Sequence, residues 1–180
     1  MSPGYLIYVI AAIFPLIVAL AVLDRRTGLA LSPHGFRWRK ARRIRRRLRK
    51  DGLPPAAVIA YLRKVDPYVF EELVLLSFKK AGYSVKRNRR YSGDGGIDGR
   101  IAKDGRRWFV QCKRYRGYIS PRHVAAFAAV CQEGRRGGVF VHTGRTGGAS
   151  KEMFACDDDI EVVSGQRLYR LVVLGEDILL

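Results

Sequence analysis

Acid is scarce in this sequence, and so is sulfur. Sixteen Asp and Glu stand against 34 Lys and Arg, giving a formal net charge of +18 over 180 residues. That imbalance predicts attraction to polyanions: nucleic acid, an anionic membrane surface, or both. There are 3 Cys, at Cys112, Cys131 and Cys156, far apart and with no CxxC. An odd, sparse set argues against a disulfide framework and against a zinc site, and it suits a reduced, cytosolic domain. His34, His123 and His142 are the only histidines, and none is spaced with a Cys or Glu as a metal motif requires. There is no internal repeat. The glycines of "GDGGIDG" are wrongly spaced for a dinucleotide fingerprint, and no GK[ST] follows to make a Walker loop.

What is present is unevenly placed. "YLIYVIAAIFPLIVALAVL", Tyr5 to Leu23, carries no charge over 19 residues. As a helix it would span about 28 Å, enough for the hydrocarbon core of a bilayer. Pro15 sits inside it, where a membrane helix tolerates a kink. Nothing basic precedes the run and Asp24-Arg25-Arg26 follow it, so an uncleaved anchor over residues 1–24 is expected rather than a signal peptide. Arg25 to Lys50 holds 12 Lys or Arg and no acid. Positive charge stays in the cytoplasm, so the C-terminal part should face the cytosol. Outside that stretch 22 basic and 16 acidic residues remain. "FRWRKARRIRRRLRK" can be helical, with Ala41, Ile44 and Leu48 as a thin apolar stripe. It reads as a juxtamembrane segment on lipid headgroups, each basic residue worth about 1 kcal/mol near the surface, or as a nucleic-acid grip. Residues 25–55, ending in the linker "DGLPP", separate the anchor from a domain over residues 56–180.

That domain alternates helices and strands. A first helix is expected over residues 56–65. Asp66 is an N-cap and Pro67 a first helical residue; Phe70, Leu73, Val74, Phe78 and Ala81 mark an apolar face, and Gly82 is a stop. Strands are expected over residues 83–90, 97–102 and 108–115. A helix from Pro121, capped by Ser120, stops before Gly134. "GGVFVHT" is a short buried strand, residues 149–155 a short helix, "IEVVS" a last strand and residues 166–174 a closing helix. The pattern is α/β, layered around one sheet.

Asp104-Gly105 is a strong two-residue hairpin turn. If those two residues are the loop, Lys103 pairs with Arg106, Ala102 with Arg107 and Ile101 with Trp108. Carried back without a bulge, Asp98 falls opposite Gln111. Alternation then puts Asp98, Gln111 and Lys113 on one side, with Trp108, Val110 and Cys112 on the other. A carboxylate and an amide oxygen can bind a hard divalent cation, and a lysine can stabilise developing negative charge. A surface hairpin with three solvated polar side chains is the other reading of the same pattern.

"FEELVLLSFKKAGYSV", "GDGGIDG", "VQCKRY" and "GGVFVHTG" together resemble the Mrr-type restriction endonuclease domain of the PD-(D/E)xK nuclease superfamily, from about Asp66 to the C-terminus. The resemblance implies a restriction-endonuclease-like mixed β-sheet flanked by helices, and cleavage of DNA with Mg2+ or another divalent cation such as Mn2+. It makes Asp98 the metal-binding aspartate, Gln111 the stand-in for the usual acid, Lys113 the catalytic lysine and Glu71 the helix glutamate that supports the metal. It does not extend to the anchor. His142 stands where the resemblance predicts a small hydroxylated residue. Asp94 and Glu72 are rival ligands to Asp98 and Glu71; "SGDGG" reads as a turn, and Asp157-Asp158-Asp159 as a solvated loop. "GRTGGAS" is a weak phosphate-loop candidate beside a plain loop. Arg114, Arg116, Arg122, Arg135, Arg136 and Arg145 could meet backbone phosphates or form an ordinary basic surface. A homodimer would suit double-strand cutting. A non-catalytic DNA-binding module at the membrane, or a structural partner in a membrane complex, are the alternatives.

Overall fold

The computed structural model describes residues 13–15, 33–88, 96–155 and 159–179. The chain divides into two units, Met1–Arg39 and Lys40–Leu180. Of the first, residues 13–15 are helical, and Ile13 and Phe14 are exposed. The expected anchor lies outside the described residues apart from those three. Among the described residues no helix is long and apolar enough to cross a membrane.

The second unit opens with α1 (Pro33–Asp51), whose first turns belong to the unit before it. Then come α2 (Pro55–Leu62), α3 (Pro67–Lys80), β1 (Ser84–Arg87), β2 (Gly99–Lys103), β3 (Arg106–Lys113), α4 (Pro121–Glu133), β4 (Gly137–His142), α5 (Gly148–Ala155), β5 (Ile160–Val163) and α6 (Gly165–Tyr169). A π-helical segment, Arg170–Leu174, extends α6 and ends on Gly175 in the left-handed region. The strands lie in sequence order. β1, β2 and β3 form an antiparallel meander; β4 and β5 join parallel through α4 and α5.

Local signals set most element ends. Asp66 accepts the Val69 amide hydrogen at 3.1 Å, and Pro67 opens α3. Gly82 adopts φ +95° just beyond it. Asp104 and Gly105 both take positive φ, as the right-handed twist of a two-residue hairpin requires. Ser120 sits at the N-cap of α4 but its side chain makes no capping bond.

The sheet separates two cores. Trp108, Val110 and Cys112 face a large core with α1, α2, α3 and the C-terminal helix. Phe109 faces a smaller one with Phe127 and Cys131 of α4, Phe140 and Ile160. The strand alternation expected for β3 therefore holds. Ala41, Ile44 and Leu48 of α1 are buried in the larger core. α3 is buried nearly all round, from Val69 and Phe70 through Leu75, Leu76 and Phe78, because it is covered on more than its sheet side.

Candidate active site

The hairpin register is the expected one from Lys103/Arg106 to Gly99/Val110. It does not continue to Asp98. The Asp98 amide donates to the Val110 carbonyl at 2.9 Å, and Val110 is already the partner of Gly99. Two residues thus meet one, the arrangement of a β-bulge. The expectation that Asp98 lies flat opposite Gln111 is corrected on this point. β2 ends as a ladder at Gly99, and the next edge position on β3 is taken by a side chain. The Asp98 carboxylate accepts the Cys112 amide hydrogen at 2.6 Å. A β3 amide points along the sheet, so this carboxylate lies at the sheet's edge rather than over either face.

Gln111 is buried at 5% exposure. Its Nε2 donates to the Gly96 carbonyl at 2.8 Å, which ties β3 to the loop before Asp98. Its Oε1 is buried with no hydrogen-bond partner. An amide that gives away its N–H and leaves its oxygen empty in the interior is costly unless something else takes that oxygen. Lys113 is half-buried two residues on and pairs in register with His142 of β4.

The charges converge on Cys112. Burial pushes its thiol well up, Asp98 and then Glu71 push it further, and Lys113 opposes them. Glu71, from α3, therefore acts on the same spot as Asp98 and Lys113. Burial also raises the Asp98 carboxyl to about 6, against the Cys112 amide and the Lys113 charge, which both pull it down. Glu72 is spent elsewhere: it is buried and bonds Arg87 of β1 at 2.8 Å. Glu71 and Glu72, adjacent on α3, thus have different surroundings.

Other expectations resolve variously. Asp94, Asp157 and Asp158 lie outside the described residues; Asp159 is exposed. Arg114 bonds the Arg63 carbonyl at 3.1 Å and so ties β3 to the end of α2. Arg136 lies over the Phe109 ring. Arg116, Arg122, Arg135 and Arg145 are exposed. His142 is fully buried, and burial drops its pKa to about 4. In "GRTGGAS", Thr146 Oγ1 lies 3.3 Å from His142 Nε2 and Ser150 is buried, which fits a packed loop.

Sequence reasoning missed three supports. Asn88 donates to the Ile97 carbonyl beside Asp98 and accepts from Arg100 at 2.7 Å. Gly96, at φ +83°, lets its carbonyl meet Gln111; a Cβ there would fall 2.2 Å from Nε2. Thr143 both accepts the Tyr115 amide and donates to its carbonyl, fixing the exit of β3. The glycine at 96 was a signal that could have been followed.

Among the described residues no three His, Cys, Asp or Glu side chains could together hold a metal ion. A cation here would need the amide oxygen of Gln111 as well as carboxylates. The unpartnered Gln111 Oε1 fits that need, since hard divalent cations take carboxylate and carbonyl oxygens alike.

A five-stranded mixed sheet flanked by helices is consistent with the restriction-endonuclease-like fold. A family model described as a restriction endonuclease, Mrr_cat, matches residues 62–172, more than half of the chain, and the protein belongs to that family. No curated protein matches it. It is similar to the crystal structure of a protein of unknown function, AF1548, at 19% identity and a TM-score of 0.44, over 55% of this chain and 58% of that one.

Proposed function

We propose that the protein is a divalent-metal-dependent endonuclease that hydrolyses DNA phosphodiester bonds at the opening between β2 and β3. The observation that carries this reading is the orphaned Gln111 Oε1 on β3, the strand whose Cys112 amide holds the raised Asp98 carboxyl, within a family of restriction endonucleases. Asp98, Gln111 and Glu71 would hold the cation, Mg2+ or Mn2+. When bound, such an ion supplies positive charge to a phosphoryl oxygen and to the attacking water.

The chain's own groups do the rest. Gln111 is oriented by Gly96, so its oxygen is presented without a search. Asp98 must give up its proton to act, and Lys113 favours that. The Lys113 ammonium then stabilises the charge that develops on the phosphate. Exposed Arg116, Arg122 and Arg145 would contact backbone phosphates, giving affinity without sequence choice.

The apolar run at residues 5–23 supports a single-pass anchor over residues 1–24, and the basic stretch after it supports a cytoplasmic domain. The basic stretch within residues 25–55 would turn its exposed arginines to the membrane while its apolar stripe stays packed in the core, and residues 56–180 would carry the nuclease, cutting as a homodimer where both strands are broken.

The test is a cleavage assay on the full chain in detergent micelles with plasmid DNA. Mg2+ should give nicked and linear products and EDTA should stop them, with Asp98→Asn and Lys113→Ala each at least 100-fold slower. DNA retained on the protein but uncut under every metal tried would replace this reading with a non-catalytic DNA-binding module.

A further inference from the structure

A concave feature is built from residues outside the proposed active site. Between α1 and α3 lies a cavity of about 440 Å3. Its charged lining is entirely cationic: Arg42, Arg45, Arg46, Arg49 and Lys50 from α1, and Lys80 from the last turn of α3. Leu76 is its apolar residue. The α1 positions follow helical spacing and share one face, next to the stripe that packs into the core. Arg47 lies off that face and is paired with Asp51 at 3.1 Å.

Arg45 separates this cavity from an ordinary basic surface. It is only 8% exposed, and its Nε has no hydrogen-bond partner. Its Nη2 lies against Gly175, where a Cβ would come within 2.9 Å. The left-handed turn that ends the last helical segment thus fixes where this guanidinium sits, and glycine leaves it room. Burial, then the charge of Arg49, lowers the Arg45 pKa. A buried cation among like charges is unfavourable by itself, and an anion in the cavity offsets that cost.

We propose that this cavity binds a compact oligophosphate anion, with at least two linked phosphates, through Arg45, Arg46, Arg49 and Lys80. Guanidinium forks match phosphate oxygens two at a time. A single phosphodiester brings one negative charge to six cations; a linked di- or triphosphate brings several into the same small volume. The recessed Arg45 is within reach of a small anion, whereas a duplex backbone would meet only the exposed arginines at the rim. The site is independent of the nuclease reading and shares no residue with it.

The experiment uses the full chain with EDTA present, so that no metal at the β2–β3 opening can hold the probe. Tripolyphosphate is titrated by calorimetry and thermal shift, with sulfate as the monoanion-group control. One saturable site is expected, with a Tm that rises with ligand as mass action requires. Arg49→Glu and Lys80→Glu, on separate helices, should each weaken binding at least 10-fold, and Arg45→Met should abolish the Tm rise. Arg43→Glu, exposed on α1 but outside the cavity, should change affinity less than 2-fold. Phosphatidylglycerol vesicles form the second arm. Vesicle binding competed away by tripolyphosphate would place a lipid phosphate in the same cavity; vesicle binding unaffected by it would leave the free anion as the ligand. Absence of saturable binding, an equal loss in Arg43→Glu, or saturable binding of duplex DNA alone would each overturn the proposal.

Discussion

The carboxylate of Asp98 takes the place on β3 that another residue of β2 would have taken, accepting the Cys112 amide hydrogen at 2.6 Å. Because the strand stops pairing one residue early, an acid rather than a backbone carbonyl ends the ladder. That single substitution of a side chain for a strand marks where the pairing of β2 with β3 ends.

Asp98 gives the first prediction. Its folded pKa, about 6, lies above its ordinary value of 3.8. The folded state therefore binds the proton more tightly than the unfolded chain, and metal-free stability falls as pH rises from about 4 through about 6. Asp98→Asn keeps an acceptor for Cys112 without the charge. Its Tm should match the parent at pH 4 and exceed it at pH 7, and adding Mg2+ should raise the Tm of the parent alone. Equal Tm values at both pH values would contradict the raised carboxyl.

His142 has the opposite sign. Its folded pKa, about 4, lies below the ordinary 6.5. Its contribution is complete above about 6.5 and is lost as pH falls toward 4, since protonation is then favoured in the unfolded chain. Urea midpoints of His142→Phe should fall less than the parent's between pH 7 and pH 5.

Glu71 and Glu72 should separate cleanly. Glu72 is buried and paired with Arg87, so Glu72→Ala should destabilise by about 3 kcal/mol by leaving the arginine without its carboxylate. Glu71→Gln should leave the urea midpoint nearly unchanged and slow cleavage at least 10-fold. A stability loss on Glu71→Gln as large as that of Glu72→Ala would remove Glu71 from the proposed metal site.

Gly99 is the close approach between β2 and α3. A Cβ there would lie 2.7 Å from Leu75 Cδ2 and 2.9 Å from Cδ1, and Leu75 is buried. Gly99→Ala should cost about 1–3 kcal/mol. Combining it with Leu75→Ala, which vacates that space, should cost less than the sum of the two single changes, measured as a double-mutant cycle.

Much of the fold was legible because its signals are local. Asp66 with Pro67, the Asp104-Gly105 turn and the alternation of Trp108, Val110 and Cys112 each depend on neighbours a few residues away, and each is seen where the sequence puts it. The hairpin register followed from that turn alone as far as Gly99. The candidate residues of the proposed site, Asp98, Gln111 and Lys113, came from the sequence. Their arrangement was not legible there, because the bulge at Asp98 depends on how Asn88 and Gln111 hold the preceding loop from outside it.

By itself the sequence determined the order of elements and the hairpin, since backbone turns and side-chain alternation are short-range effects. Tertiary packing decided that Glu72 meets Arg87, where β2 stops, and that Arg45 is buried beside Gly175. Those outcomes depend on desolvation and on which charges meet across distant segments, and no neighbour in the chain specifies either.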